Sequence, residues 1–380
     1  MKQKYDVVII GAGLQGLSVA YNLAKRGLTN VLVLEKGYLG SGASGRDIEL
    51  IRAIFASPEW ISLMKESIRL FRKLSSELNF NIMYAENGHM LLAKTPSQVK
   101  LCQEIHSSYG NDSRLIEPQE AKEIIPALNV EGIEGALYQE SGATALTYGV
   151  LWGYAEAAQR LGVEICPFTE VLGISVVEGR VNSVTTTKGT VRTDTVVDAA
   201  GAYSRDIAKM VGVVLPNEPH RIEALVTESL KPFFSCNVVS LDSHVACKQT
   251  ARGEVLGYAP SKAEAEVTYS TSSTPMFLRA TAKAMLEIFP RLRQVKVQRQ
   301  WGGIIDMTPD RSPTIGPVDE IDGFILNSGW GGYGFMSSPA SGSILAEFIV
   351  SGKTNTIIES FSLRRFAQGR LVRDRSMIVE

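Results

Sequence analysis

An α/β fold, α+β overall, is predicted by three observations. The N-terminus carries a buried parallel-type strand, a glycine-rich turn follows and opens a helix, and a later alternating run reads as antiparallel sheet. The 380 residues suffice for two or three domains at roughly 150 residues each, with a large core. Hydrophobic residues make up 44% and charged residues 21%, and mean hydropathy is +0.03, as in a globular protein. The 39 Lys and Arg against 40 Asp and Glu leave a net charge of −1, which argues against a phosphate-neutralising face and hence against a nucleic-acid partner. Glycine stands out at 34 residues, clustered toward both ends of the chain rather than in linkers.

The first element, Tyr5 to Ile10, is an apolar run rich in β-branched residues, the pattern of a strand buried on both faces. Gly11, Gly13 and Gly16 follow in G-x-G-x-x-G spacing. Leu14 to Arg26 then reads as a helix with Leu17, Ala20, Tyr21 and Ala24 along one face and Gly27 as its stop. Val31 to Leu34 is the second strand, ending at Glu35, 19 positions beyond Gly16. Each part has a physical task. Gly11 permits the tight turn, Gly13 lets backbone approach a pyrophosphate, and Gly16 lets helix and strand pack closely, so that an anion meets the helix N-terminus at Leu14 and Gln15. Glu35, with Lys36 beside it, stands where a ribose diol is held. The unit is Rossmann-like and dinucleotide-binding, and this much does not separate FAD from NAD.

The next segment begins to separate them. Gly40 to Arg46 is a second glycine-rich loop with Ser41, Ser44, Gly45 and the basic Arg46 as candidates, and it suits a cofactor longer than NAD. Ile51-Arg52-Ala53 follows, then a helical stretch from about Glu59 to Leu78.

On these segments the chain resembles the D-amino-acid-oxidase-like superfamily of FAD-dependent amine oxidoreductases. Within it, the resemblance is to the β subunits of heteromeric sarcosine oxidase and archaeal dye-linked L-proline dehydrogenase, over nearly the whole chain. It implies that the loop Ser41 to Arg46 packs near the flavin and that Arg52 holds the substrate carboxylate. Val171 would offer backbone to adenine, and Ala200 and Gly201, within Val196 to Ser204, would return to the cofactor. Gly303, within Trp301 to Asp310, and Gly331, Gly332, Tyr333, Gly334, Phe335 and Met336 match the two flavin-facing segments. The second reads physically as a glycine turn into an apolar helix, Ser337 to Val350. Its N-terminal dipole would face the flavin's pyrimidine edge, where negative charge develops on reduction.

Three departures from the family sharpen the expectation. Gly303 stands where monomeric sarcosine oxidases carry the cysteine that tethers FAD, implying non-covalent FAD. Thr147 stands where a histidine tethers FMN in heteromeric sarcosine oxidase, leaving only an untethered FMN at a subunit interface. Val255 and Met336 stand where oxidases carry lysines that promote reaction with O2. Their loss implies a dehydrogenase that passes electrons to a partner subunit or dye, and an oxidase is the alternative.

The implied chemistry is oxidation of a secondary amino acid of the L-proline, hydroxyproline or sarcosine type at its C–N bond, by hydride transfer to flavin N5. The protein then contributes orientation, water exclusion and electrostatics. Arg52 would make a bidentate carboxylate contact, and His244, Tyr258 and Met336 complete the catalytic candidates, with ordinary packing the rival reading of His244 and Tyr258. A different class remains open: a flavin-binding subunit that only relays electrons.

Domains are expected to be discontinuous. Residues 1–80, 142–215 and 305–380 would form the FAD-binding domain, a parallel sheet between helices. Residues 81–141 and 216–304 would form an antiparallel substrate domain, on the evidence of the alternating run Arg252 to Tyr269 and the apolar stretch Asn237 to Leu241. His89, His106 and His220 show no metal-ligand spacing, so no metal is expected. Cys102, Cys166, Cys236 and Cys247 are scattered, which fits buried free thiols and a reducing cytoplasm. The charged Met1 to Lys4 and the short apolar run behind it read as neither signal peptide nor membrane span. Met64, Phe71 and Phe80 read as core. Arg364, Arg365, Arg370, Arg373 and Arg375, against the single acid Asp374, read as a solvated face, with a partner-subunit contact as the alternative.

Overall fold

The computed structural model describes residues 1–261 and 266–377. Two large sheets dominate. The first has six strands in the order Thr314–Pro317, Phe324–Ser328, Val196–Asp198, Val7–Ile10, Val31–Leu34, Glu164–Cys166, parallel throughout except for the antiparallel edge pair Thr314–Pro317 and Phe324–Ser328. Strand alternation explains why Val7–Ile10 is apolar throughout. Val7 and Ile9 join the core under the helices, while Val8 and Ile10 join a second core on the opposite face.

Helix Leu14–Lys25 lies against helix Gly334–Ser351 on the first face, with Pro58–Leu78 and Thr147–Arg160 beside them. Their approach is so close that a Cβ on Gly342 would lie 2.1 Å from Ser18 Oγ. The second face differs from the expected layer of helices. A three-stranded meander, Val171–Val177, Arg180–Thr186 and Gly189–Arg192, covers it together with the short helix Ser204–Lys209. Inward Val171, Ile174, Val181, Val184 and Val191 supply the apolar side.

The second sheet has eight strands in the order Val297–Met307, Glu218–Thr227, Val255–Tyr258, Ala246–Gln249, Asn237–Ser240, His89–Ala93, Gly135–Gln139, Ser113–Ile116. All pairs are antiparallel except Asn237–Ser240 with His89–Ala93. Of the alternating run Arg252 to Tyr269, residues 262–265 lie outside the described residues. Register places His89, Val239, Tyr258, Ala224 and Gly303 on one face of this sheet. The other face carries Gly257, where a Cβ would meet Met285 Sδ at 2.3 Å on helix Pro275–Ile288.

Met64 and Phe71 are core residues and Phe80 is half-buried. The four cysteines are free, and Cys166 is half-buried rather than buried. Among the described residues no helix is long and apolar enough to cross a membrane. The arginine-rich tail is not a solvated face throughout. Arg365 is buried and donates to both carboxylate oxygens of Asp310, at 2.7 and 2.9 Å, while Arg364 pairs with Asp319 and Arg375 with Glu104 at the surface. Val372, Asp374 and Ser376 alternate inward.

Candidate functional site

A cavity of about 700 Å³ opens where the strands Val7–Ile10, Val31–Leu34 and Val196–Asp198 end, and the near face of the eight-stranded sheet closes its other side. That is where an α/β sheet binds ligands, beyond the carboxyl ends of its strands. Its size lies near the middle of the ~300–1,000 Å³ typical of small-molecule sites.

At one end the glycine turn is built as the motif requires. Gly11 has φ +107°, its N–H donates to Leu34 O at 2.7 Å, and a Cβ there would lie 2.4 Å from Ala199 O. Gly13 caps the first helix and lines the cavity with Gln15, whose amide donates to Gly334 O at 2.8 Å and Ser337 Oγ at 3.1 Å. Leu14, Gly16 and Gly45 shape the loops without lining the cavity. Leu14 N–H donates to Ser44 Oγ at 3.0 Å, and Gly45 N–H to Gly40 O at 3.0 Å.

Glu35 lies at the wall with Lys36, whose ammonium sits 2.8 Å from the Tyr203 ring centroid. The Glu35 carboxylate accepts from Ala12 N–H at 3.0 Å, Gly37 N–H at 2.8 Å and Ser41 Oγ at 3.1 Å, so it ties both glycine loops together. Glu35→Gln places an amide NH2 against one of these donors. FAD affinity should fall roughly 10- to 100-fold, from hydrogen bonds to charged groups worth about 1.5–3 kcal/mol; flavin retained through dialysis measures it. Val171, Ala200 and Gly201 also line this end.

The middle of the cavity is lined by Ser41, Ser44 and Arg46 with Gly303 against the arginine. Arg46 donates to the carbonyls of Ser41 and Gly42, and its own carbonyl accepts from Trp301 Nε1 at 3.0 Å. A Cβ on Gly303 would lie 3.1 Å from Arg46 Cδ, so glycine makes room for the arginine stem. Gly331, Gly332, Tyr333, Gly334, Phe335 and Met336 form the opposite wall, and Gly331 and Gly332 have positive φ. Asp306 holds this turn: its carboxylate accepts from Gly329 N–H at 2.6 Å and Asn217 Nδ2 at 3.1 Å, and burial pushes its pKa up to about 7. Asp198, buried behind Ala200, is pushed up to about 8 by burial, with the nearby Asp306 adding to the shift. These features fit a dinucleotide cradle extended by a second, ring-sized compartment. Glu35, the two glycine loops, Gly303 and the 331–336 turn would hold FAD.

Arg52 lines the far end, 2% exposed, with its guanidinium 4.1 Å from the Phe55 ring centroid. Nη1 donates to Ile54 O at 2.5 Å and Ser376 Oγ at 3.4 Å, and Nη2 to Ser376 O at 2.9 Å. The tail thus frames the arginine. Asp374 fixes that frame by accepting from the N–H groups of Ala56, Ser57 and Ser376 at 2.7, 2.6 and 2.8 Å. Tyr258 and Met336 line the same cavity.

Three further positions singled out in the sequence fall elsewhere. His244 lies in the turn between Asn237–Ser240 and Ala246–Gln249, at φ +51°, and is not among the cavity-lining residues. Val255 shares the face of Gly257, toward helix Pro275–Ile288, because residues 255 and 258 of one strand point oppositely. Thr147 is buried at the start of its helix, with its N–H donating to Glu49 Oε1 at 3.0 Å.

Among the cavity residues that escaped the sequence reading, two bear on the far end. Asp47 lines the wall with its pKa pushed up to about 7 by burial, next to the Glu49–Lys248 ion pair at 2.5 Å. The visible signal was two acids alternating between Arg46 and Arg52. The other is His89, which starts the apolar run His89–Ala93 and has no sequence neighbour that suggests a role.

A model of the FAD dependent oxidoreductase family DAO matches residues 6–348. The sarcosine oxidase subunit beta of Rhodobacter capsulatus is 35% identical over 382 residues, covering 98% of this chain and 91% of that protein. The human mitochondrial sarcosine dehydrogenase is 26% identical, with 98% of this chain aligned to 43% of the relative. Among solved structures, L-proline dehydrogenase from P. horikoshii superposes with a TM-score of 0.93 at 32% identity, covering 98% of this chain and all of that one. The glycine turn, the acidic strand end and the second loop therefore belong to one known architecture, and the chain is a member of the DAO family of FAD-dependent oxidoreductases.

Proposed function

We propose that this chain is the catalytic subunit of a heteromeric dehydrogenase that oxidises a secondary amino acid of the L-proline, hydroxyproline or sarcosine type at its C–N bond. The observation that carries this reading is Arg52, a buried cation on the wall of the cavity that also contains the dinucleotide cradle. Three of its five N–H groups go to Ile54 and Ser376, and Arg52 lines the cavity, where a carboxylate would complete the bonding of the other two. The relatives support the substrate class, since one is a sarcosine oxidase subunit and another an L-proline dehydrogenase.

When bound, FAD supplies the acceptor for the hydride leaving the carbon next to nitrogen. The chain's own part is to hold the carboxylate at Arg52, to press Tyr258 and Met336 against the remainder of the substrate, and to exclude water. Among the described residues Lys36 is the one lysine on the cavity wall, and it is engaged with Tyr203 at the end where the dinucleotide motif lies. That supports slow reaction with O2 and electron delivery to a partner subunit or, in the assay, a dye. An FMN, if the complex carries one, would be untethered at a subunit interface, and the free cysteines suit a cytoplasmic setting.

The test is anaerobic. Purified yellow protein should bleach on addition of L-proline, hydroxyproline or sarcosine, and a dye should restore the colour far faster than air does. Failure of every secondary amino acid to bleach an FAD-loaded sample overturns the substrate class and favours an electron-relay subunit. Rapid peroxide release in air without dye replaces the dehydrogenase with a sarcosine-type oxidase.

A further inference from the structure

His89 is fully buried, lines the cavity, and has no hydrogen-bond partner for either Nδ1 or Nε2 among the described residues. Its backbone is pinned. The neighbouring Gly88 N–H donates to Gly142 O at 2.8 Å, and a Cβ on Gly142 would lie 2.4 Å from His89 Cβ. Of the side chains registered beside it in the sheet, Gln139 is committed elsewhere through both its polar atoms and Asn237 through its Nδ2, while Asn237 Oδ1 has no partner among the described residues. Asn237 Nδ2 donates to Ala143 O at 2.9 Å; Gln139 donates to Tyr109 Oη at 2.9 Å and Ser141 Oγ at 2.8 Å, and accepts from Ala53 N–H at 2.9 Å. A buried polar group without a partner carries a desolvation cost that folding does not recover, and such groups persist where a ligand completes them.

The imidazole is neutral. Burial holds its pKa well below the ordinary histidine value, and the nearby Arg52 cation pushes the same way. A neutral imidazole offers one N–H and one lone pair, and it adds no charge to repel the guanidinium. A carboxylate has about four lone-pair sites, more than Arg52 can fill after its bonds to Ile54 and Ser376.

We propose that His89 is a substrate-binding residue whose imidazole N–H donates to the amino-acid carboxylate that Arg52 anchors. The proposal rests on the reading of Arg52 given above and adds a second donor to it.

The experiment uses FAD-loaded full-length protein and tetrahydrofuran-2-carboxylate, the ring-oxygen analogue of proline, which lacks the amine needed for turnover. Binding is read from the shift it causes in the flavin absorbance. His89→Met removes both polar atoms at similar volume, and His89→Gln restores an N–H donor. The dissociation constant should rise about tenfold or more in His89→Met and recover substantially in His89→Gln. The melting temperature of the ligand-free Met variant should not fall, because an unpartnered polar group has been removed. If the Met variant does not fold, the Gln variant is compared with His89→Leu at matched flavin content.

Unchanged affinity in His89→Met, with affinity lost in Arg52→Ala, overturns the proposal and leaves His89 satisfied by a water shared with Asn237, whose Oδ1 is also unpartnered. Unchanged affinity in both variants instead overturns the carboxylate anchor itself.

Discussion

Replacing Gly16 with alanine should abolish FAD binding and most of the soluble folded protein, the largest effect expected of any single methyl group in this chain. The added Cβ would lie 2.0 Å from Gly11 O and 3.2 Å from Ile9 Cγ2. Neither can move cheaply. Gly11 is fixed by its bond to Leu34 O and by Ala199 against its own Cα, and Ile9 is wholly buried under the first helix. Relief requires that the helix Leu14–Lys25 lift off the sheet, which also breaks its seam with Gly334–Ser351. Overpacking of this kind costs about 3 kcal/mol or more. Gly173→Ala is the internal control, since its Cβ would meet nothing within 4 Å, its φ lies outside the left-handed region and it is not among the cavity-lining residues. Soluble yield, bound-flavin absorbance and melting temperature should collapse for the first and hold for the second. A Gly16→Ala protein with normal flavin content would show that the helix packs less tightly than these distances require.

That contrast also marks what was legible in the chain. Local chemistry was readable: a strand, a turn that only glycine can make, a helix and an acid lie within 35 residues, and the same backbone rules apply wherever they occur. The far wall was not. Which face of Val255–Tyr258 meets the cavity depends on pairing with strands far away in sequence, and a shift of one residue exchanges the faces; hence Tyr258 lines the cavity while Val255 does not. His89 and His244 differ in the same way, one held in a strand on the cavity wall and the other in a turn beyond it. Composition misread one arginine of the tail because it counts charges: Arg364, Arg370, Arg373 and Arg375 are exposed, while Arg365 is buried against an aspartate 55 positions earlier.

The tail leads to the second large effect. Arg52→Ala should lower the efficiency of substrate oxidation by roughly 10³-fold, the scale of removing one partner of a buried charge pair at about 2–5 kcal/mol, while FAD remains bound. Lysine should not rescue it. A single ammonium cannot hold Ile54 O and Ser376 O and still present two parallel donors to a carboxylate. Asp374→Ala separates holding from binding. It leaves the guanidinium intact but removes the carboxylate that fixes Ala56, Ser57 and Ser376, so the arginine keeps its charge and loses its frame. A positioning defect of that kind should raise KM about tenfold with a smaller loss in kcat, whereas Arg52→Ala should raise KM and lower kcat together. Rapid-mixing measurements of flavin bleaching across substrate concentrations give the two numbers. If Arg52→Ala bleaches at the wild-type rate with wild-type KM, the carboxylate is held elsewhere, and the buried guanidinium serves only to fasten the tail to the segment 52–57.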